Sequence, residues 1–161
     1  MRNPTNTALH QYRSYLLSLL TALDGVIQPP KHHPESDALY HSLQVFDLAY
    51  TQSDDPELWA AALFHDVGKS EDQKHHAHIG ADMVAGILPS RVVWLIEHHL
   101  DLLISPGRTR RNLTGTDRLQ DLMLLRNWDL NGRSVFAQVM SPEDALELVL
   151  KGLTSIKACS H

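Results

Sequence analysis

Residues 60–69 read Ala-Ala-Ala-Leu-Phe-His-Asp-Val-Gly-Lys, and they constrain the fold more than any other stretch of the chain. A run of small and apolar residues, which reads as a buried helix, ends directly in an imidazole and a carboxylate. A buried, ionised carboxylate is costly unless a cation pairs with it. The fold must bring positive charge to Asp66, and the histidines suggest how. Of the eleven, all but His10 and His161 lie between His32 and His99, dispersed rather than in one tag-like run. With so many imidazoles and carboxylates nearby, a bound metal is the natural partner.

The rest of the chain reads as helix. No long alternation of apolar and polar residues occurs, whereas three- and four-residue spacings recur. Thr5 to Leu23 carries Tyr12, Tyr15, Leu16, Leu19, Leu20 and Leu23 as a stripe, with Asp24-Gly25 as its stop. Three prolines between Gln28 and Pro34 force an extended loop. Ser36 or Asp37 caps a second helix to about Thr51, with His41, Val45 and Leu48 on one face. Asp54-Asp55-Pro56 starts a third that runs to about Asp66, with Leu58, Ala61, Ala62 and His65 inward and Gly68 allowing a sharp exit. His76 to Leu88 forms a fourth, with Ile79, Met83, Ala85 or Gly86, and Ile87 inward and Gly80 permitting close packing. A fifth runs from Ser90 to about Leu103, and Ser105 to Gly115 reads as a loop. Thr116 caps a sixth to about Arg133, where Leu119, Leu122, Leu125 and Asp129 share a stripe. A seventh runs from Ser141-Pro142-Glu143 to about Lys151, followed by a tail after Gly152. The expectation is an all-α, single-domain bundle of about six to seven helices. Its motif-bearing core spans about 33–133, with helices 5–24 and 142–151 packed on it.

Composition narrows the function. A net charge of −5 lacks the general electrostatic footprint of a nucleic-acid binder. The single Cys159 cannot form an intrachain disulfide and fits a reducing compartment. No apolar run approaches the ~20 residues that cross a bilayer. A cytoplasmic protein with no membrane partner is expected; oligomeric state is left open.

The inward polar candidates are His41, His65, Asp66, His76, His98, His99 and Asp129, from five expected helices. One inward histidine is more often a core residue bonded to backbone. Seven such groups compete for space that should be apolar. Imidazole with carboxylate suits iron, manganese, zinc or nickel, and the absence of cysteine ligands argues against a zinc finger or an iron–sulfur cluster.

The order His … His-Asp … His … His-His … Asp, with Gly68-Lys69 behind the His-Asp pair, resembles the HD-domain superfamily of metal-dependent phosphohydrolases over roughly His33 to Arg133. His33-Pro34-Glu35-Ser36-Asp37 leading to His41 looks like the HD domain of bacterial tRNA nucleotidyltransferases. His76-Ala77-His78-Ile79-Gly80-Ala81 resembles a segment of two-metal members in the register that selects His76, with His78 as the alternative. No nucleotidyltransferase domain precedes the motif, so the resemblance does not imply CCA addition. The Gly-Tyr-Pro signature of cyclic-di-GMP phosphodiesterases is absent after His98-His99.

The resemblance implies two divalent ions, iron or manganese first, with nickel, cobalt, zinc and magnesium also compatible. One would take His41, His65, Asp66 and Asp129; the other His76, His98 and His99, with Asp66 bridging. A metal-activated hydroxide would attack a phosphomonoester or phosphodiester of a small, nucleotide-like substrate. Asp66 and Lys69 are the expected catalytic residues, Lys69 balancing phosphoryl charge. Arg108, Arg111 and Arg133, with Arg110, are the expected substrate contacts, although residues 105–115 also read as a plain solvated basic loop. Glu35 is expected to orient His41. Two other readings stay open: a di-iron oxygenase similar to myo-inositol oxygenase, and a non-catalytic ligand-binding HD module.

Overall fold

The computed structural model describes the backbone of residues 9–159 and the side chains of 9–155. The chain runs through α1 (Arg13–Thr21), α2 (Ala38–Gln52), α3 (Pro56–Phe64), a 3-10 turn (Val67–Ser70), α4 (His76–Val84), α5 (Ser90–His98), α6 (Asp101–Ile104), α7 (Pro106–Leu113), α8 (Asp117–Asn131) and α9 (Pro142–Cys159). The described residues hold no strand, so the all-α expectation stands. The part of the first expected helix before residue 9 lies outside the described residues.

The most apolar helix sits at the centre. α3 packs against α2, α5, α8 and α9, and all its residues except Glu57 and Trp59 are buried. Its Leu63 and Phe64 form the core together with Phe46, Leu95, Ile96, Leu122, Leu125 and Trp128 from the helices around it. Local chemistry sets where helices begin. Asp37 Oδ1 accepts from Tyr40 N at 2.9 Å, and Oδ2 accepts from Gly25 N at 2.6 Å, which ties the start of α2 to the turn after α1. Asp55 caps α3 by accepting from Glu57 N at 3.0 Å, with Pro56 in the first turn. Arg91 then joins three helices: its guanidinium donates to Asp55 at 2.7 Å and to both oxygens of Asp121 at 2.9 Å.

Several boundaries differ from the sequence expectation, each for a local reason. The 105–115 loop contains a helix, α7, opened by Pro106 in its first turn and anchored by Thr109 Oγ1 donating to Asp101 O at 3.2 Å. Only Thr109 of α7 is buried, so no apolar stripe advertised it. The helix expected over 90–103 breaks after His98, where His99 Nδ1 donates to Ile96 O at 2.6 Å. α4 stops at Val84 rather than Leu88, because Gly86 takes a left-handed φ of +78°. Its inner face is Ala77, Gly80, Ala81 and Val84, with Ile79, Met83 and Ile87 only partly buried and Ala85 and Gly86 exposed. Small residues face inward because a Cβ on Gly80 would already lie 3.3 Å from Gly68 N.

α9 runs through Gly152 to Cys159 instead of stopping near Lys151. Gly152 is a site of close approach: a Cβ there would sit 2.7 Å from Pro56 Cβ and 2.9 Å from the Trp59 ring. A glycine chosen for contact resembles, in sequence, one chosen to end a helix.

Candidate metal centre

The central helix delivers two consecutive polar groups at its C-terminal end. His65 is the last helical residue in conformation, and Asp66 opens the 3-10 turn. That turn brings Lys69 back over Asp66, with Lys69 N donating to Asp66 O at 3.0 Å and Nζ lying 3.0 Å from Oδ2. The turn then meets the start of α4. A Cβ on Gly68 would lie 2.1 Å from the His76 carbonyl oxygen, so only glycine lets His76 approach this closely.

The two oxygens of Asp66 face different neighbours. Oδ2 lies 3.2 Å from His65 Nε2 and 3.7 Å from His41 Nε2. Oδ1 lies 3.3 Å from His76 Nε2 and 3.6 Å from His99 Nε2. Asp129, from the end of α8, places Oδ1 2.8 Å from His41 Nε2 and 3.6 Å from His65 Nε2. His41, His65, Asp66, His76, His99 and Asp129 are all buried.

The proton on each ring is assigned by its other nitrogen. His65, His76 and His99 each donate Nδ1–H to the backbone carbonyl three residues earlier, at 2.7, 2.8 and 2.6 Å. His41 shares its Nδ1–H between Gly132 O at 2.8 Å and Glu35 Oε1 at 3.1 Å. Each neutral ring therefore turns a lone pair at Nε2 toward the carboxylates. His76 and His99 present these lone pairs to each other 3.2 Å apart. His65 Nε2 and Asp66 Oδ2 are buried without a hydrogen-bond partner. Converging acceptors of this kind need a cation.

The titration behaviour says the same. Burial opposes charging His65, but the carboxylates of Asp66 and Asp129 prevail and push it up to about 10. Burial likewise opposes charge on His41, and the hydrogen bonds it donates to Asp129 and Glu35 raise it. Asp66 and Asp129 are held well below the ordinary carboxylate range: burial opposes this, but His65 and Lys69 act on Asp66 and His41 and His65 on Asp129. His99, where burial dominates, is lowered. Protons thus stand where a metal would sit. Two groups have the spacing to hold an ion and share Asp66: His41, His65, Asp66, and Asp66, His76, His99. The donor set fits divalent transition metals.

Other expected residues lie elsewhere. His98 points away from Asp66. Its ring stacks on Trp94 with centroids 4.5 Å apart, and Nδ1 bonds Asp101 Oδ2 at 2.8 Å. His98 and His99 are adjacent at the end of α5, so their side chains diverge by about 100°, and only one can face the core. His78 is exposed, 3.6 Å from Glu97, so His76 is the residue brought to Asp66. Arg108, Arg110 and Arg111 are exposed on α7 and do not line the cavity above Asp66; Arg108 borders a separate cavity with Trp94 and His98. Arg133 does line it, and also donates to Asp129 O at 3.2 Å and His32 O at 2.7 Å.

The cavity over the centre measures about 490 Å³ and exposes Asp66, Lys69, His76, His99 and Asp129 at its base. Its rim includes three polar residues that the sequence reading did not assign. His33 donates from Nδ1 to Glu35 at 2.8 Å, and His32 and Arg126 line the wall. Gln28, buried beneath, accepts a hydrogen bond from Lys69 Nζ. Arg126 was findable, because it precedes Asp129 by three residues on one helix face. Gln28 and His33 sit in an irregular loop, where no periodicity marks a direction.

Comparison with known proteins agrees with this geometry. Residues 38–149 match the profile of the family described as HD domain. A multifunctional CCA protein of Thioalkalivibrio sulfidiphilus is 44% identical over 147 residues, covering 75% of this chain and 36% of that protein. Another, from Hahella chejuensis, is 43% identical over 75 residues, covering 42% of this chain and 18% of the relative. A third, from Teredinibacter turnerae, is 44% identical over 68 residues, 42% of this chain and 16% of its own length. The chain thus aligns with a minor share of each relative.

Proposed function

This chain belongs to the HD-domain family, and from that premise we propose that it is a metal-dependent phosphohydrolase acting on a nucleotide or a related small phosphorylated molecule. The observation that carries the reading is the two-sided environment of Asp66. Its separate oxygens meet separate imidazole pairs, and each ring turns Nε2 inward because a backbone carbonyl holds its Nδ1–H. His41, His65, Asp66 and Asp129 would hold one ion, and Asp66, His76 and His99 a second. Divalent cations, when bound, acidify water and neutralise charge on a phosphoryl group.

The protein's own groups do the rest. Lys69, on the cavity wall 3.0 Å from Asp66 Oδ2, keeps that carboxylate ionised and presents positive charge to phosphoryl oxygens. Arg133 fixes the backbone of Asp129 and adds a second cation to the wall. Leu100, Leu103 and Leu130 supply an apolar wall suited to a base or sugar. The names of the CCA relatives favour a nucleotide-bearing substrate.

The test is elemental analysis of the protein as isolated, followed by phosphate release from a panel of phosphomonoesters and phosphodiesters with manganese or cobalt. His65→Ala should lose metal while keeping its far-UV circular dichroism, and Lys69→Ala should lose turnover while keeping metal. A wild-type protein with neither metal nor phosphate release after reconstitution refutes the proposal.

A further inference from the structure

Among the cationic side chains around the cavity, Arg126 alone is uncommitted. Lys69 is engaged by Asp66 and Gln28, and Arg133 by Asp129 and the His32 carbonyl. Arg126, a half-buried residue of the cavity wall, makes no hydrogen bond, ion pair or ring contact with any described residue. It lies three residues before Asp129 on α8, a rise of about 4.5 Å, so it stands beside the centre rather than over it. Leu130 follows four residues later, and α6, packed on α8, adds Leu103 to the same cavity. These leucines are 46% and 55% exposed, an apolar shelf next to an unpaired fork of donors.

A guanidinium that lines a cavity beside other cations and has no partner is a site for an anion, and its planar donors match phosphate oxygens two at a time. Resting on the phosphohydrolase reading above, we propose that Arg126 is a specificity-determining residue that selects substrates bearing a second phosphate. In that arrangement the sugar or base lies on Leu103 and Leu130, one phosphate reaches Asp66, and the other pairs with Arg126. The second phosphate can belong to a nucleoside bisphosphate or to the phosphodiester next to an oligonucleotide's terminal phosphate.

The experiment measures affinity of the protein as isolated for adenosine 5′-monophosphate, adenosine 3′-monophosphate, adenosine 3′,5′-bisphosphate and the dinucleotide ApAp, by calorimetry or as KM where a ligand is turned over. Wild-type protein should bind at least one of the two-phosphate ligands about tenfold or more tightly than either monophosphate. Whichever of the two binds better identifies the source. R126Q should reduce that ratio to about twofold or less, with R126A as a second variant should R126Q unfold. A wild-type ratio below tenfold, or the same ratio in the variant, overturns the inference. Phosphate release is judged separately, on the manganese- or cobalt-reconstituted protein and the ester panel above, so that its failure there refutes the hydrolase reading while leaving the binding ratio readable.

Discussion

Replacing Gly68 by alanine is the most direct test of how the motif builds the site. The added Cβ would stand 2.1 Å from the His76 carbonyl oxygen and 2.8 Å from both His76 C and Gly80 N. Against an ordinary contact of 3.4 Å the shortfall is about 1.3 Å, and the obstructing atoms are backbone, which cannot rotate aside. α4 must therefore move from the 3-10 turn by about that distance, or the turn must distort. His76 Nε2 is 3.3 Å from Asp66 Oδ1, so a displacement on that scale removes it from the centre. Overpacking of this sort costs about 1–3 kcal/mol, and the rigid neighbours put the value near the top. For a chain of this length about 3 kcal/mol lowers Tm by about 6–12 °C. Gly80→Ala is the control: its Cβ meets its nearest atom at 3.3 Å, so it should cost clearly less. Urea unfolding gives the stability difference, and elemental analysis gives the metal retained. A Gly68→Ala protein within about 0.5 kcal/mol of wild type, holding its full metal complement, would show that the glycine is not what lets His76 reach Asp66.

Three further expectations follow from the same geometry. Glu35→Gln weakens the support at His41 Nδ1 and should lower metal affinity by about 10- to 100-fold in a chelator competition, with unchanged affinity refuting the role. Arg91→Ala leaves the buried Asp121 carboxylate unpaired and should destabilise by about 1–2 kcal/mol in urea; adding Asp121→Asn should restore part of that loss, and strict additivity would show the pair is uncoupled. His65, held protonated up to about pH 10 by neighbouring carboxylates, must lose its proton to accept a metal. Apparent affinity for manganese should therefore rise between pH 6 and pH 8, by about tenfold per unit for each proton displaced, and a flat profile would refute this.

The readable parts of this protein were those where a side chain's direction follows from helix phase. His41 shares a face with Val45, and Asp129 ends a stripe through Leu122 and Leu125, and all of these are buried. His65-Asp66 could be placed because the helix before them is apolar on nearly every side. Phase failed where a helix ends, since two adjacent histidines then compete for one inward direction, and backbone hydrogen bonding at His99 decided against His98. It failed again where the inward residues are small. Ala77, Gly80 and Ala81 carry little hydropathy, but they bring α4 close enough to matter. The arginines of α7 were misassigned because charge says nothing about direction on a helix with one buried residue.

The backbone bonds to the histidine rings imply an order of assembly. His65, His76 and His99 each fix their tautomer through a carbonyl three positions upstream, so each ring is prepared by its own helix end. His41 relies on Gly132, which is 91 residues away, and on the seating of α8 against α2. Three imidazoles are thus set by local folding, whereas the fourth has a near partner in Glu35 and completes its support only when distant segments dock. Loosening the far end of α8 is accordingly the shortest route by which a folded molecule would surrender an ion, with most of its helices still in place.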